Sequence, residues 1–379
     1  MSHKTESPSS PSCRDPQPYG VEAVGRRRLL AAGGALAASG LAAPAVAQER
    51  HDWILVTSWP KNAPGPGTTA ARIAEQITTL SNGRLTVRLH AAGELVPALE
   101  VFDAVSGGVA QMAHTASLFW AGKVPASPYF TAVPFGLTPD GHTAWIEQGG
   151  GQALWDELYA PAGIKPFQAG NSGMQMGGWF KREITEPDDL KGLKMRIPGL
   201  GGQVMRQLGV TAVTTPPGEI LPALQSGAID AAEFLGPWSD RSLGLDKAAP
   251  YYYWPGFHEP NGAAECLVGR SAYEALPGDL QALLATVCAA ENLRGLAEAD
   301  WQNARTLEAM TEEGRIALRR YPDEILAAAG AAARRVLAEL AASSPLNQRL
   351  HDSYEEARRL WLGWGRVARH AVLDAQIRR

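Results

Sequence analysis

Arg196 is the side chain whose type and setting most directly imply binding chemistry. It lies in Leu193-Lys194-Met195-Arg196-Ile197-Pro198, a predicted strand that runs into the turn Gly199-Leu200-Gly201-Gly202. A guanidinium offers a planar fork that matches a carboxylate, so an arginine at a strand end in a cleft can anchor an organic acid. A salt bridge to an internal Glu or Asp fits the same pattern equally well. Gln175, Glu233 and Glu259 form a second set, each in an apolar or aromatic context: Met174-Gln175-Met176, Ala232-Glu233-Phe234 and His258-Glu259-Pro260. Two carboxylates and an amide oxygen, if they converge, make a site for a hard cation; spacing alone leaves solvated or separately paired carboxylates open.

Other chemistries lack their signatures. The eight histidines contain no H-E-x-x-H pair, and there is no G-x-S-x-G elbow and no G-x-x-x-x-G-K-[ST] phosphate loop. The glycines at 199, 201 and 202 miss the dinucleotide spacing and read as a tight strand-to-helix turn.

The elements that must position these residues alternate. A strand is predicted at 52–59, a helix at 68–80 with Ala70, Ile73, Ala74, Ile77 and Leu80 on one face, and a strand at 84–89 with strict alternation. A short helix at 98–105 and a strand at 109–114 follow. This β-α-β-α-β order implies a largely parallel sheet with crossover helices. Gly93-Glu94-Leu95-Val96-Pro97-Ala98-Leu99 is echoed by Gly218-Glu219-Ile220-Leu221-Pro222-Ala223-Leu224. Each copy leads through a short helix and Ser-Gly to a strand ending in a polar residue, His114 or Glu233. Two related α/β lobes are expected, with ligands at the carboxyl ends of the strands between them. Lys165–Gly170 reads as a strand leaving the first lobe, and Tyr251–Pro260 as the return crossing. Beyond Ala272 the chain reads as mostly helical, with Asp279 as an N-cap for a helix starting at Leu280. The stripe Tyr354, Ala357, Trp361, Trp364 and Ala368 would pack on the chain's own lobes or form a homodimer through the C-terminal helix.

The chain has 379 residues, 45% hydrophobic and 20% charged, with net charge −4. That composition fits two ordinary globular cores and excludes a disordered or polytopic membrane chain; its balance favours neither nucleic acid nor an anionic membrane. Arg26-Arg27-Arg28, an uncharged run from Ala31 to Ala43 and Ala45-Val46-Ala47 make residues 1–47 an expected signal peptide of twin-arginine type. Its removal takes five basic and three acidic residues and leaves net −6. The predicted destination is the periplasm. The organisation expected is lobe I over 48–171, lobe II over 172–262, and a return into lobe I plus C-terminal helices over 263–379. Cys13 leaves with the signal; Cys266 and Cys288 could pair in an oxidising compartment or stay as buried thiols.

Several segments carry a resemblance: Gly170-Asn171-Ser172-Gly173-Met174-Gln175-Met176-Gly177-Gly178-Trp179, Gly192–Gly199, Asp230-Ala231-Ala232-Glu233-Phe234, Tyr251–Pro260 and Ser58-Trp59-Pro60-Lys61-Asn62. Over about 50–375 the sequence resembles the extracytoplasmic solute receptors of tripartite ATP-independent periplasmic (TRAP) transporters. The branch it looks like binds 2-oxo acids or lactate with a metal ion. The resemblance implies a two-lobe α/β periplasmic-binding-protein fold with crossing strands and a long C-terminal helical region. It implies a receptor, not an enzyme, with no catalytic cofactor, that delivers a small monocarboxylate such as pyruvate or lactate to membrane permease subunits. Arg196 matches the carboxylate-binding arginine, and Gln175 the glutamine that touches ligand and cation. Glu233, the Phe234 carbonyl and Glu259 match the ligands of a sodium or calcium ion. His114 and Phe119, within the stretch to Trp120, and Asn171 fall where the family contacts its solute. The branch carries Trp where this chain has Phe234, which bears on pocket shape. A twin-arginine-exported enzyme acting on a small organic acid is the alternative from another class. A binding lobe of an ATP-driven or two-component sensor system is a third.

Overall fold

The computed structural model describes residues 49–378; the expected signal at 1–47 lies outside them. β1 (His51–Thr57), α1 (Pro66–Leu80), β2 (Leu85–His90), α2 (Val101–Ser106) and β3 (Met112–Thr115) realise the expected run, with β1 between β2 and β3 and parallel to both. Trp53 and Leu55 of β1 face one apolar cluster and Val56 another, so the strand is covered on both sides, as parallel strands are. On α1, Ala70, Ile73, Ala74 and Ile77 are buried as predicted, but Leu80 at the last turn is 59% exposed.

After α3 (Pro139–Gln148) and α4 (Gly151–Tyr159), β4 (Ile164–Asn171) leads to β5 (Gly178–Phe180) in a second sheet. There β6 (Lys194–Arg196), α5 (Gly199–Gln207), β7 (Thr211–Val213), α6 (Ile220–Ser226) and β8 (Ala231–Ala232) repeat the design, with β6 between β7 and β8 and parallel to both. α7 (Pro237–Ser242) and β9 (Tyr251–Trp254) follow, and β10 (Ala263–Gly269) returns to the first sheet. The first sheet runs β2-β1-β3-β10-β4, with β10 antiparallel to its neighbours. The second runs β7-β6-β8-β5-β9, with β5 antiparallel to its neighbours. Each sheet therefore has the same order, with one antiparallel strand beside the parallel trio.

That shared topology supports the inferred duplication, although the motif that suggested it folds differently in its two copies. Residues 93–99 form turns ahead of α2, with Leu95 45% exposed, whereas Ile220 of the second copy opens α6 and is buried. The glycine turn after β6 is a strand-to-helix junction, as expected. Gly199 has φ +61°, and a Cβ on Gly202 would stand 2.3 Å from the Ile197 carbonyl oxygen.

α8 (Arg270–Glu274) precedes the 35-residue α9 (Gly278–Glu312). Asp279 lies inside the first turn of α9 and pairs with Arg84; Pro277 holds the N-cap position, so the expected Asp279 cap is corrected. β10 makes the return into the first sheet, and the helices that follow it are interrupted by one further strand. β11 (Ala317–Arg320) adds to the second sheet beside β9, and α10 (Asp323–Ala342) packs against α5. The charged Arg319 and Arg320 of this edge strand hid it from an apolar-periodicity search. α11 (Pro345–Gly365) and α12 (Ala371–Ile377) finish the chain. The predicted stripe divides: Tyr354 is buried, Ala357 and Trp361 pack on the core, and Trp364 is 60% exposed. No helix of the described residues is long and apolar enough to cross a membrane.

Candidate functional site

The polar residues that ended the predicted strands meet where the two sheets face each other. Trp59 follows β1, His114 lies in β3, Arg196 ends β6 and Glu233 follows β8, so the carboxyl ends of both parallel trios converge. One cavity there is lined by Arg196, Gln175, His114, Phe119 and Asn171, and by Glu233, Phe234 and Glu259. All eight residues singled out from the sequence thus share a single cavity. It holds about 50 Å3 that the centre of a water molecule can reach. One water needs ~10–15 Å3 on that measure, so the space suits a small solute and not a sugar or peptide.

Arg196 is 2% exposed. Its Nη1 donates to both the carbonyl oxygen and Oε1 of Glu233, each at 2.6 Å, and its Nε donates to the Thr215 carbonyl at 3.3 Å. Both sequence readings of this residue therefore hold: it is salt-bridged internally and it lines the cavity. Nη2 has no hydrogen-bond partner among the described residues. The fork is thus already half committed, and a carboxylate would meet Nη2 in place of a fully free guanidinium.

Glu233 is held from two sides, by Arg196 at Oε1 and by His258 Nε2 at 3.1 Å from Oε2. Glu259 is buried beside it, and Glu233, His258 and Glu259 each offer a ligand atom within 4.8 Å of the others. Burial first, and then the Glu233 carboxylate, push the Glu259 carboxyl well above its usual range; Arg196 and Gln175 pull it back. Ionised together, the two buried acids would outnumber the one guanidinium beside them, so a cation would be needed to hold Glu259 in its charged form. Gln175 supplies a further sign of a missing partner. Its Nε2 donates to Ser172 Oγ at 3.1 Å, while its Oε1 is buried with no partner. An orphaned buried oxygen costs roughly 1–3 kcal/mol unless something coordinates it. Oxygen donors from Gln175, Glu233 and Glu259 are a fitting set for sodium or calcium. A Cβ on Gly262 would fall 1.9 Å from Ser172 Oγ and 2.4 Å from Gln175 Nε2, so only glycine lets these side chains lie there.

The remaining predicted residues play quieter parts. His114 is fully buried; burial lowers its pKa to about 4, so it is neutral. Its Nδ1 accepts from Trp59 Nε1 at 2.8 Å and its Nε2 donates to the Ala169 carbonyl at 2.7 Å. Both nitrogens being taken, the ring shapes the wall and donates nothing to a solute. Asn171 donates from Nδ2 to Asn261 Oδ1 and accepts from the Gly173 amide, tying β4 to the crossing segment. Phe234 lies under the Arg196 guanidinium, 5.8 Å from its ring centre.

Sequence reasoning missed the supports. In the sequence His258 stands out only as a neighbour of Glu259. Asp240 was not singled out, yet its carboxylate accepts from the Leu235 amide, Trp179 Nε1 and Tyr252 Oη, which fixes the segment carrying Glu233 and Phe234. Burial raises Asp240 to about 6 against those hydrogen bonds. No local pattern marks such residues; only packing brings their partners together.

A small, buried, charge-lined cavity between the strand ends of a two-sheet α/β body is a small-molecule binding site. The model for bacterial extracellular solute-binding protein, family 7, matches residues 55–344, and the chain belongs to that family. It is 42% identical over 315 residues to the monocarboxylate 2-oxoacid-binding periplasmic protein of Nostoc sp., covering 83% of this chain and 86% of the relative. Its fold superimposes with a TM-score of 0.85 and 36% identity on a TRAP transporter solute-binding protein from Bordetella bronchiseptica, over 87% of this chain and 98% of that one. That relative is described as a mixed-occupancy dimer with calcium and picolinate in one site. A TRAP periplasmic solute-binding protein from Pseudoalteromonas atlantica, with sodium and pyruvate bound, gives 0.84 and 36%, over 86% of this chain and 99% of that one.

Proposed function

We propose that this chain is the receptor of a TRAP transporter and binds a small 2-oxo or 2-hydroxy monocarboxylate, such as pyruvate or lactate, together with a sodium or calcium ion. The observation that carries the reading is the cluster of Arg196, Gln175, Glu233 and Glu259 in one small buried cavity. In this reading Arg196 Nη2 meets the solute carboxylate. The cation is held by Glu233, Glu259, Gln175 Oε1 and the Phe234 carbonyl, and supplies a fixed positive charge for the carboxylate and its 2-oxygen. A solute anion and a cation enter the dry cavity as a nearly neutral pair, which avoids the several kcal/mol of an unpaired buried charge. His114, Phe119 and Asn171 limit its size.

The two sheets with their helices act as two lobes that close over the solute, and the crossings β4–β5 and β9–β10 act as the hinge. The chain works in the periplasm after cleavage of residues 1–47 and hands its solute to the membrane subunits. The exposed apolar side chains of Trp364, Val367, Leu373 and Ile377 contact a second copy of the chain, consistent with the dimer described for the Bordetella relative.

Titration calorimetry on protein stripped of solute and metal tests the central reading. Pyruvate should bind stoichiometrically, without turnover, when calcium or sodium is supplied, and at least tenfold more weakly when neither is. No heat with pyruvate or lactate under either condition would refute it, and conversion of the acid would favour the enzyme alternative.

A further inference from the structure

Away from the cavity, the first sheet and the long helix share a feature that solute binding does not use. Cys266 lies in β10, the strand between β3 and β4, and Cys288 lies in α9. Both are buried in the same apolar cluster with Phe167, Leu284 and Val287. Phe167 stands opposite Cys266 in the β10–β4 pairing and borders the same space as Cys288, and the Cys288 side chain is the first cause that raises the Cys266 thiol above its ordinary range. Cys288 also lines a second cavity, with Gln152, Lys165, Phe167, Gln168 and Thr286, that opens on the surface and holds about 360 Å3 reachable by a water's centre. The structure holds both residues as thiols.

We propose that Cys266 and Cys288 are a redox pair that closes to a disulfide, stapling the centre of the first sheet to α9. The cavity gives the order of events. Cys288 borders the open space and reacts first: its thiolate attacks a disulfide of the oxidant, a small or protein disulfide, and releases one oxidant thiolate, leaving a mixed disulfide on Cys288. Cys266 has no such access. The Cys288 thiol beside it, and then burial, keep it protonated. It loses its proton as it attacks the Cys288 sulfur and expels the second oxidant thiolate. In sum two protein thiols lose two electrons and two protons, and one oxidant disulfide becomes two thiols. The consequence is mechanical. α9 packs on β4 of the first sheet and on α1, and also on α7, the helix that follows β8 of the second sheet. A staple at Cys288 fixes its first half to the first sheet, leaving the far end as the part that can shift when the sheets move relative to each other.

The test uses the full chain incubated natively with oxidised glutathione, then unfolded and treated with N-ethylmaleimide without reductant. Peptides carrying Cys13, Cys266 and Cys288 are followed separately by mass spectrometry. A cross-linked Cys266–Cys288 peptide that dithiothreitol separates is expected. Maleimide on both cysteines, or two separate glutathione adducts with no cross-link, would overturn the pairing. Single variants fix the order: C266S should trap one glutathione on Cys288 in the folded protein, and C288S should trap none on Cys266. An unmodified C266S, or an adduct on Cys266 in C288S, would overturn the route through the cavity. Pyruvate binding is not the readout, so the outcome is independent of the proposed function.

Discussion

Replacing Arg196 by lysine separates charge from geometry at the centre of the site. The native guanidinium makes three hydrogen bonds at once, two from Nη1 to Glu233 and one from Nε to Thr215, in a residue that also lines the cavity, and Nη2 has no partner among the described residues. A lysine keeps the positive charge that buried Glu233 requires, so the fold should survive. Its single ammonium cannot hold Glu233 and also reach a solute carboxylate with a second nitrogen. The loss is about one charge-assisted hydrogen bond to the solute, ~2–3 kcal/mol. That corresponds to pyruvate affinity falling roughly 30- to 150-fold. Arg196→Ala is harsher, because it also strands the Glu233 carboxylate in a site that is 1% exposed. It should weaken binding by about 3–5 kcal/mol and lower thermal stability as well. The assay is calorimetric titration at saturating calcium, with circular dichroism to confirm that Arg196→Lys melts near the parent. Parent-like affinity in a folded Arg196→Lys protein would refute the argument that Nη2 grips the solute.

Glu259→Gln keeps the shape and removes one charge from the cation site, so calcium should be needed at ten- to a hundred-fold higher concentration to support pyruvate binding, as read by titrating calcium at fixed pyruvate. Glu265 is buried between Trp120 Nε1 and Tyr159 Oη, and burial raises its carboxyl to about 8 from 4.5. Its stabilising contribution is full below about pH 4.5 and is lost as pH rises through about 8, a change bounded near ~5 kcal/mol. Urea unfolding at pH 5 and pH 8 should therefore show a smaller stability difference in Glu265→Gln than in the parent. Trp364→Ser combined with Ile377→Ser should turn a sedimenting dimer into a monomer; a parent that already sediments as a monomer would dispose of the proposed contact.

The site residues were legible in the sequence because each stands out locally. An arginine between Met195 and Ile197, or a glutamate between Ala232 and Phe234, is conspicuous in an otherwise apolar strand. The topology was legible because strands and helices alternate at ordinary lengths. What escaped has a common physical cause, namely that it depends on partners distant in the chain. β11 is a strand only because β9 supplies hydrogen-bond partners, Tyr251 to Trp254, some 65 residues away. The two Gly-Glu motif copies differ in conformation because Ile220 has a core to enter while Leu95 has none. The commitment of Nη1 to Glu233 could not be read from spacing, since residues 196 and 233 meet only when β6 and β8 pair.

That last pairing explains why recognition of an acid and of a cation belong together here. β6 and β8 are adjacent parallel strands, so Arg196 and Glu233 emerge side by side at their carboxyl ends and neutralise each other. The second acid, Glu259, comes from the crossing segment and has no cation of its own in the protein. Closing the cavity over Glu259 alone would leave it either protonated or an unpaired buried charge; closing it over a cation alone would leave Nη2 unused. Only the cation and the solute anion together satisfy every group. The contacts that span the two sheets are then free to form: Ser239 Oγ donates to the Pro64 carbonyl at 3.1 Å, and the Phe135 amide donates to the Phe257 carbonyl at 2.7 Å. Individually each is worth about 1 kcal/mol, too little to offset a buried unpaired charge of several kcal/mol. On this argument the electrostatic match inside the cavity, and not the rim contacts, decides whether the closed form persists, and Ser239→Ala should weaken binding by less than tenfold where Glu259→Gln weakens it by more.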